Sequence, residues 1–288
     1  MTINSTAETY SDNYAHSIAP LTIIEFGNKA QARNYFSGTA NAKLKGNWNI
    51  SGDMSVNVKN EDGFDTKIEA GGVQAIGFDG LDSEVLIGKL DSKKNLSDLT
   101  TEFSIADGTK IQANNLLIST KNVILSNKND KYYEQLDALL GGAINAQWSR
   151  SDNTFKRNTA INIGKNSNIT TTDSQVYEAS TQTATRNVST ATIGAAFGGG
   201  RVISGIDSNY ANKINVGQNS NLSTTKTGNL TFATYDDIVS TVYSQSKFKG
   251  LAGVDVVSNA TNNLTRKNII DIGKGVTLNT AKDLNLYA

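Results

Sequence analysis

Short runs of alternating apolar and polar residues recur along this chain, and three of them follow the same order. The phrase INIGKNSNITTT begins at Ile161, INVGQNSNLSTT begins at Ile214, and IDIGKGVTLNTA begins at Ile270. Each phrase contains an isoleucine-rich alternation, a glycine, a short polar turn and a second alternation. Alternation with a period of two is typical of a half-buried strand, because successive side chains point to opposite faces. The phrase therefore predicts two strands joined by a turn.

Two weaker copies upstream bring the repeat to five. The glycines of the clear copies are Gly164, Gly217 and Gly273, and we align Gly46 and Gly108 with them. A terminal alternation follows each copy: MSVNV from Met54, LLIST from Leu116, QVYEA from Gln175, LTFAT from Leu230 and LNLYA from Leu284. Glycine-rich starts precede the phrases: GGVQAIGF at 71–78, GGAINAQWS at 141–149, GGGRVISGI at 198–206 and GLAGVDVVS at 250–258. We interpret residues 1–288 as a single segment of about five imperfect repeats, cut from a longer array.

Strands with one apolar face and one polar face cannot bury the apolar face alone, so stacked neighbours must form a continuous core. We expect an all-β, parallel β-solenoid, in which each unit of about 55 residues makes about three rungs of 18 to 20 residues. The whole chain would then rise about 70 Å. The residues expected to point inward are Ile161, Ile163, Ile169, Ile214, Val216, Leu222, Ile270, Ile272 and Leu278. Asparagine at matching turn positions, Asn166 with Asn219 and Asn168 with Asn221, is expected to stack between rungs.

Three stretches depart from the repeat. NDKYYEQLDALLGG, from Asn129 to Gly142, has apolar residues on one helical face, and Asp130 could cap it, so we expect a short helical insertion. Residues 20–36 are ambiguous. The copies differ most in their linkers, at Asn129–Leu140 and Thr181–Thr192, which we expect to be loops and the contact points with a partner.

Composition narrows the functional classes. The 27 basic and 27 acidic side chains balance, so nothing suggests a phosphate-binding surface, and we expect no nucleic-acid partner. The absence of cysteine excludes disulfides and thiolate metal sites. No apolar stretch is long enough to cross a bilayer, and the first residues lack the pattern of a signal peptide.

Few residues suggest chemistry. His16 is the only histidine, so it cannot support a multi-histidine metal site, and no nucleophile motif surrounds it. Asp79, Asp82 and Glu84 lie close together, and oxygen ligands of this kind suit calcium. Their spacing matches neither an EF-hand loop nor a calcium nonapeptide, which favours a solvated acidic turn.

Other candidates are no stronger. Asp236 and Asp237 lie near a strand end but form no catalytic cluster with other residues. Gly198–Gly200 is not followed by the Gly-Lys-Ser/Thr of a phosphate-binding loop. Glycosylation sequons at Asn168 and Asn221 are frequent in any chain rich in Asn, Ser and Thr. We therefore assign no catalytic, cofactor-binding or metal-binding residue.

The stretch GGGRVISGIDSNYANKINVGQNSNLSTTKTGNLTFATY, residues 198–235, resembles repeats of filamentous-haemagglutinin-like giant exoproteins, above all the leukotoxin-like filamentous adhesins of bacteria. The resemblance covers most of 140–288 and, more loosely, 1–140, while residues 59–107 fit poorly. It implies a right-handed parallel β-helix, secretion through an outer-membrane pore, and a virulence role in cell adhesion or cytotoxicity. We thus expect a secreted or cell-surface stalk without enzymatic activity or cofactors, which contacts a host-cell surface, matrix or glycan ligand. The alternative is a carbohydrate-active β-helix enzyme, a polysaccharide lyase or hydrolase.

Overall fold

The computed structural model describes the backbone of residues 1–126 and 134–288, and their side chains outside 18–28, 134–135, 140 and 253–255. Every regular element in these ranges is a β-strand. The described residues therefore include no helix that could span a membrane. The strands are β1 Thr2–Phe36, β2 Asn41–Leu44, β3 Asn47–Asn49, β4 Met54–Ile87, β5 Lys89–Leu90, β6 Leu96–Ser97, β7 Leu99–Ile105, β8 Lys110–Ala113, β9 Leu116–Ser126, β10 Glu134–Ile163, β11 Asn168–Thr171, β12 Gln175–Val216, β13 Asn221–Thr224, β14 Leu230–Lys249, β15 Ala252–Ile272, β16 Thr277–Asn279 and β17 Leu284–Tyr287.

Each repeat pairs in parallel with the next, so one repeat forms one layer. Ile161 pairs with Ile214, and Ile214 pairs with Ile270. The layers comprise residues 1–53, 54–115, 116–126 with 134–174, 175–229 and 230–283, and β17 continues beyond the fifth. The expected three rungs in each unit are therefore wrong. Five layers spaced by about 4.8 Å span roughly 20 Å from first to last, not 70 Å.

The parallel pairing extends through all layers. Strands β3, β8, β11, β13 and β16 form one sheet with one strand from each layer, and ten longer or flanking strands form the other large sheet. Within it, β4, β9, β12 and β10 pair in a closed ring, because β9 and β10 both lie in layer 3, between β4 and β12. The hairpin β5–β6 is the one antiparallel pair among the described strands, and it is inserted after β4.

The repeated phrase encloses the largest apolar cluster. Six predicted inward residues are buried in it: Ile161, Ile163, Ile169, Ile214, Val216 and Leu222. The terminal alternation closes the same cluster, and there Tyr177 stacks on Phe232 with ring centroids 5.0 Å apart. The three predicted residues of layer 5, Ile270, Ile272 and Leu278, pack against the cluster but are only partly buried. The predicted register is thereby confirmed.

The turn of the phrase adopts left-handed backbone geometry at equivalent positions. Asn166 and Asn219 have φ of 55° and 57°, and Gly108 and Gly275 have φ of 67° and 72°. Glycine and asparagine tolerate this region better than other residues. Because Lys110 pairs with Asn168, Gly108 lies over Asn166 and not over Gly164, which corrects the alignment of these glycines. The predicted amide stacking is confirmed where Asn221 Nδ2 donates to Asn168 Oδ1 at 3.1 Å.

Two predicted insertions are strands instead. Residues 134–142 belong to β10 and not to a helix, while 127–133 lie outside the described residues. Leu136 and Ala138 are buried, whereas Leu139 is exposed, as in a strand. Strands β4 and β12 flank β10 and pair with its backbone on both sides, which overrides the local helical preference. The expected loop at 181–192 is likewise part of β12.

Candidate binding surface

The acidic residues considered for calcium do not converge. Asp79 is buried and points inward, whereas Asp82 and Glu84 point outward from the same strand. Asp82 Oδ2 lies 3.3 Å from Lys29 Nζ, and Glu84 Oε2 lies 3.7 Å from Arg33 Nε. No group of three His, Cys, Asp or Glu among the described residues could hold a metal ion.

The structure gives no common site to His16 and the aspartates Asp236 and Asp237. His16 is exposed and stacks on Tyr14, with ring centroids 5.9 Å apart. Asp236 accepts hydrogen bonds from Asn212 Nδ2 at 2.8 Å and from Asn268 Nδ2 at 3.0 Å. Asp237 points to the other face of β14 and is exposed, so the two carboxylates do not act on one site.

The glycine run Gly198–Gly200 and the sequon residues Asn168 and Asn221 are all part of the β-structure. Gly198–Gly200 lies within the extended β12 and forms no turn that could surround a phosphate. Asn168 and Asn221 stack on each other across layers 3 and 4, as part of the amide ladder.

Part of the interior between the long strands is polar, which the sequence pattern did not indicate. From Thr181 to Ser189 of β12, every second residue is buried and polar. Thr181 Oγ1 of this row donates to Asn212 Oδ1 at 2.8 Å, and Thr159 Oγ1 donates to the same atom at 2.7 Å. Thr185 Oγ1 and Ser189 Oγ, in contrast, have no hydrogen-bond partner among the described residues. The β-branched threonines of TQTATRNVSTAT, residues 181–192, were the available signal for a strand.

A fully buried ion pair lies in this interior. Arg157 of β10 and Asp62 of β4 both have side-chain exposures of 0%. Arg157 Nη2 donates to Asp62 Oδ2, and Arg157 Nη1 donates to the carbonyl oxygen of Gly38 at 2.6 Å. Burial raises the pKa of Asp62 above its usual range, although Arg157 and Asn60 oppose this shift. The pair links the interiors of layers 1 to 3.

Large apolar side chains gather on the outside of layers 2 to 4. Phe78, Ile144, Trp148 and Phe197 are exposed by 42%, 43%, 41% and 53%. We call these four residues the aromatic face. They lie on neighbouring strands, because Ile144 pairs with Phe197 and Trp148 pairs with Gly80, two residues after Phe78.

Two grooves share the floor of the aromatic face. One, of about 380 Å³, lies beside Phe78 and Trp148, and the other, of about 370 Å³, lies beside Ile144 and Phe197. Both are lined by Ala146 and Gln147. The small side chain of Ala146 thus leaves two shallow depressions between larger residues.

Gly80 allows the Trp148 ring to lie against the sheet. A Cβ atom on Gly80 would come within 2.4 Å of Trp148 Cε2, so only glycine fits beneath the indole. Lys29 Nζ lies 5.2 Å from the ring centroid, in cation–π contact. The indole is therefore fixed in place while much of it stays exposed.

Arg201 borders the second groove. It pairs directly with Trp148 across β10 and β12, and its side chain is exposed. Within the part of the chain whose side chains are described, Arg201 forms no salt bridge, whereas Lys29 is paired with Asp82. The surface thus combines aromatic rings with one cation that has no acidic partner.

Comparisons with known proteins found no match: no family model, no curated protein and no solved structure is similar to this chain.

Proposed function

We propose that residues 1–288 form a right-handed β-solenoid with loop insertions, as a stalk segment of a secreted, surface-associated bacterial adhesin or cytotoxin-like exoprotein. The register of the repeats supports this best, since Ile161, Ile214 and Ile270 occupy one column in successive layers. Each copy adds one layer, and so extends the displayed surface by about 4.8 Å. Right-handed connections between parallel strands are by far the commoner geometry.

The proposed role is to hold weak binding contacts outside the cell, without catalysis. A repeated exterior presents similar contacts many times, and multivalency raises avidity without any strong single site. The partners proposed are a host-cell surface, matrix protein or glycan, and secretion through an outer-membrane pore follows from the resemblance of residues 198–235 to filamentous adhesin repeats.

The test is adhesion by the folded chain. Beads coated with the purified protein should bind cultured host cells or immobilised matrix and glycans, while beads coated with the Ile214→Asp variant, whose core is disrupted, should not. Fractionation of the producing bacterium should recover the protein outside the cytoplasm. A cytoplasmic protein whose beads bind no surface would contradict the proposal.

One groove favours the enzymatic alternative enough to test it. Glu84 pairs directly with Asp152 across β4 and β10, and both line a groove of about 390 Å³ together with Asp207. Two carboxylates at one groove are what glycoside hydrolysis requires. Each, however, has an arginine partner: Arg33 lies beside Glu84, and Arg150 beside Asp152.

Release of reducing ends from polysaccharides decides between the two functions. We expect none from the unmodified chain. Release that is lost in both Glu84→Gln and Asp152→Asn would replace the adhesive stalk with a carbohydrate-active enzyme.

A further inference from the structure

We propose that the aromatic face is a binding site for an anionic sugar, a uronate unit of a polysaccharide, whose ring stacks on Trp148 and whose carboxylate binds Arg201. The inference rests on the proposed adhesive function and gives it a ligand class and a location.

The usual polarity of a strand is inverted beneath the aromatic face. Along 144–148 the apolar residues Ile144, Ala146 and Trp148 point outward, whereas Asn145 and Gln147 are buried. Neither amide atom of Asn145 finds a hydrogen-bond partner among the described residues. Folding energetics favour the opposite arrangement, because exposing aromatics and burying unpaired amides both cost stability. Local rules are most often broken at functional sites, so the inversion marks this surface.

The aromatic face has the size of a small ligand. The aromatic face spans two interstrand steps, about 10 Å, and four residues along the strand, about 13 Å. Its area is therefore on the order of 130 Å², far below the roughly 800 Å² that each partner buries in a standard protein interface. The strands beneath it, β4, β10 and β12, pair with neighbours on both sides there, so no strand can be added to an edge. A small ring-shaped ligand fits these limits better than a protein partner does.

The side chains of the aromatic face and Arg201 match the chemistry of a uronate. One face of a sugar ring presents C–H groups with partial positive charge, which suit the negative face of an indole or phenyl ring. The indole of Trp148 lies against Gly80, and 41% of the side chain is exposed to a ring-shaped ligand. Arg201, which has no acidic partner among the described side chains, offers a planar set of donors that matches a carboxylate. A neutral sugar would leave that charge unused, so a uronate is the better fit.

The experiment uses three uronate hexasaccharides as probes, made of galacturonate, of mannuronate, and of alternating glucuronate and N-acetylglucosamine. Each is paired with its carboxyl-reduced, neutral counterpart. Binding is measured by calorimetry and by fluorescence of a Trp48→Phe variant, which leaves Trp148 as the only tryptophan of the chain. We expect at least one uronate to bind and to change the Trp148 emission, with affinity about tenfold weaker after carboxyl reduction.

Variants separate the two contacts. Trp148→Ala should abolish stacking, and Gly80→Ala, which displaces the indole, should weaken binding by about tenfold while retaining the ring. The Arg201→Gln variant should bind the uronate no more tightly than it binds the carboxyl-reduced sugar. Tyr35→Ala, an exposed aromatic outside the face, is the matched control and should bind normally. Thermal midpoints confirm that each variant is folded.

The site assignment is overturned if no uronate binds at millimolar concentration, or if Trp148→Ala and Tyr35→Ala behave alike. Equal binding of acidic and reduced sugars would overturn the role of Arg201. The bead assay distinguishes failure of the proposed sugar site from failure of the proposed adhesive function. If Trp148→Ala beads still adhere to cells, the adhesive function stands and the sugar site is wrong. If unmodified beads do not adhere while the uronate binds, the sugar site stands alone.

Discussion

Replacing Arg157 with methionine should destabilise the protein by about 3 to 5 kcal/mol at neutral pH. The substitution keeps a long apolar stem but removes the guanidinium that donates to Asp62 and to the carbonyl of Gly38. Asp62 would then be a buried carboxylate whose remaining side-chain donor is Asn60 Nδ2, at 3.0 Å. The cost is dominated by this uncompensated charge and not by the lost attraction.

The pH dependence follows from the direction of the Asp62 shift. Burial raises the pKa of Asp62 in the folded protein above its unfolded value, so the folded state binds more protons between the two values. Stability therefore falls as pH rises through the folded pKa. In Arg157→Met the two lowering effects of the guanidinium are lost, and the pKa of Asp62 rises further. The variant should thus recover part of its lost stability when the pH is lowered from 7 to 5.

The control is the double variant Asp62→Leu with Arg157→Met, which removes both charges. Buried ion pairs replaced by apolar residues are often neutral in stability, and Arg157 Nε has no hydrogen-bond partner among the described residues. We therefore expect the double variant to be close to the unmodified protein and clearly above the single variant.

Denaturation by guanidinium chloride at pH 7 and pH 5, followed by circular dichroism, measures all three proteins. A loss below 1 kcal/mol in Arg157→Met would show that the pair is open to water. A double variant as unstable as the single variant would show that packing of the arginine stem, not an unpaired charge, accounts for the loss.

Three further changes test the layer register. Ile214→Asp should cost more than about 4 kcal/mol because it buries an unpaired charge, whereas Ile270→Asp, in the half-buried layer 5, should cost clearly less in the same denaturation assay. Asn219→Ala should lower stability by about 1 kcal/mol because of its left-handed φ of 57°, and Asn219→Gly should not, as thermal midpoints will show. Gly217→Ala should lower the midpoint sharply, since its Cβ would lie 2.7 Å from the Gly164 carbonyl carbon, while Gly52→Ala, with open space around it, should not.

The phrase was predictable because its inward residues are apolar. Ile161, Ile163 and Ile169 alternate with polar neighbours, and burial of that set fixes the register, since a shift by one residue would reverse every side chain. The left-handed turn was also predictable, because asparagine recurs at Asn166 and Asn219. In these regions local preference and tertiary packing agree.

The size of a layer was not predictable from the period. A repeat of 53 residues is compatible with one wide turn of chain or three narrow ones, and the corners decide between them. The sequence of the long strand β12 does not indicate a strand, because its inward residues at Thr181, Thr183 and Asn187 are polar. Hydrophobic alternation cannot reveal a strand whose buried side chains are polar. The sequence therefore resembles a linker where the structure has a strand.

The aromatic face was not predicted for the opposite reason, because there the outward residues of the strand are apolar. Ile144 and Trp148 alternate as inward residues would, and the pattern alone does not say which side of the sheet is the interior. Each large apolar side chain moved from inside to outside forgoes about 1.5 to 3 kcal/mol, and the buried Asn145 adds the cost of unpaired polar atoms. This cost is confined to one stretch, because the same strand buries apolar residues on either side of it, at Leu136 and at Phe155. Parallel backbone pairing with β4 and β12 holds this stretch of β10 on both sides whatever its inward side chains are, so Ile144 and Trp148 are available for contact outside.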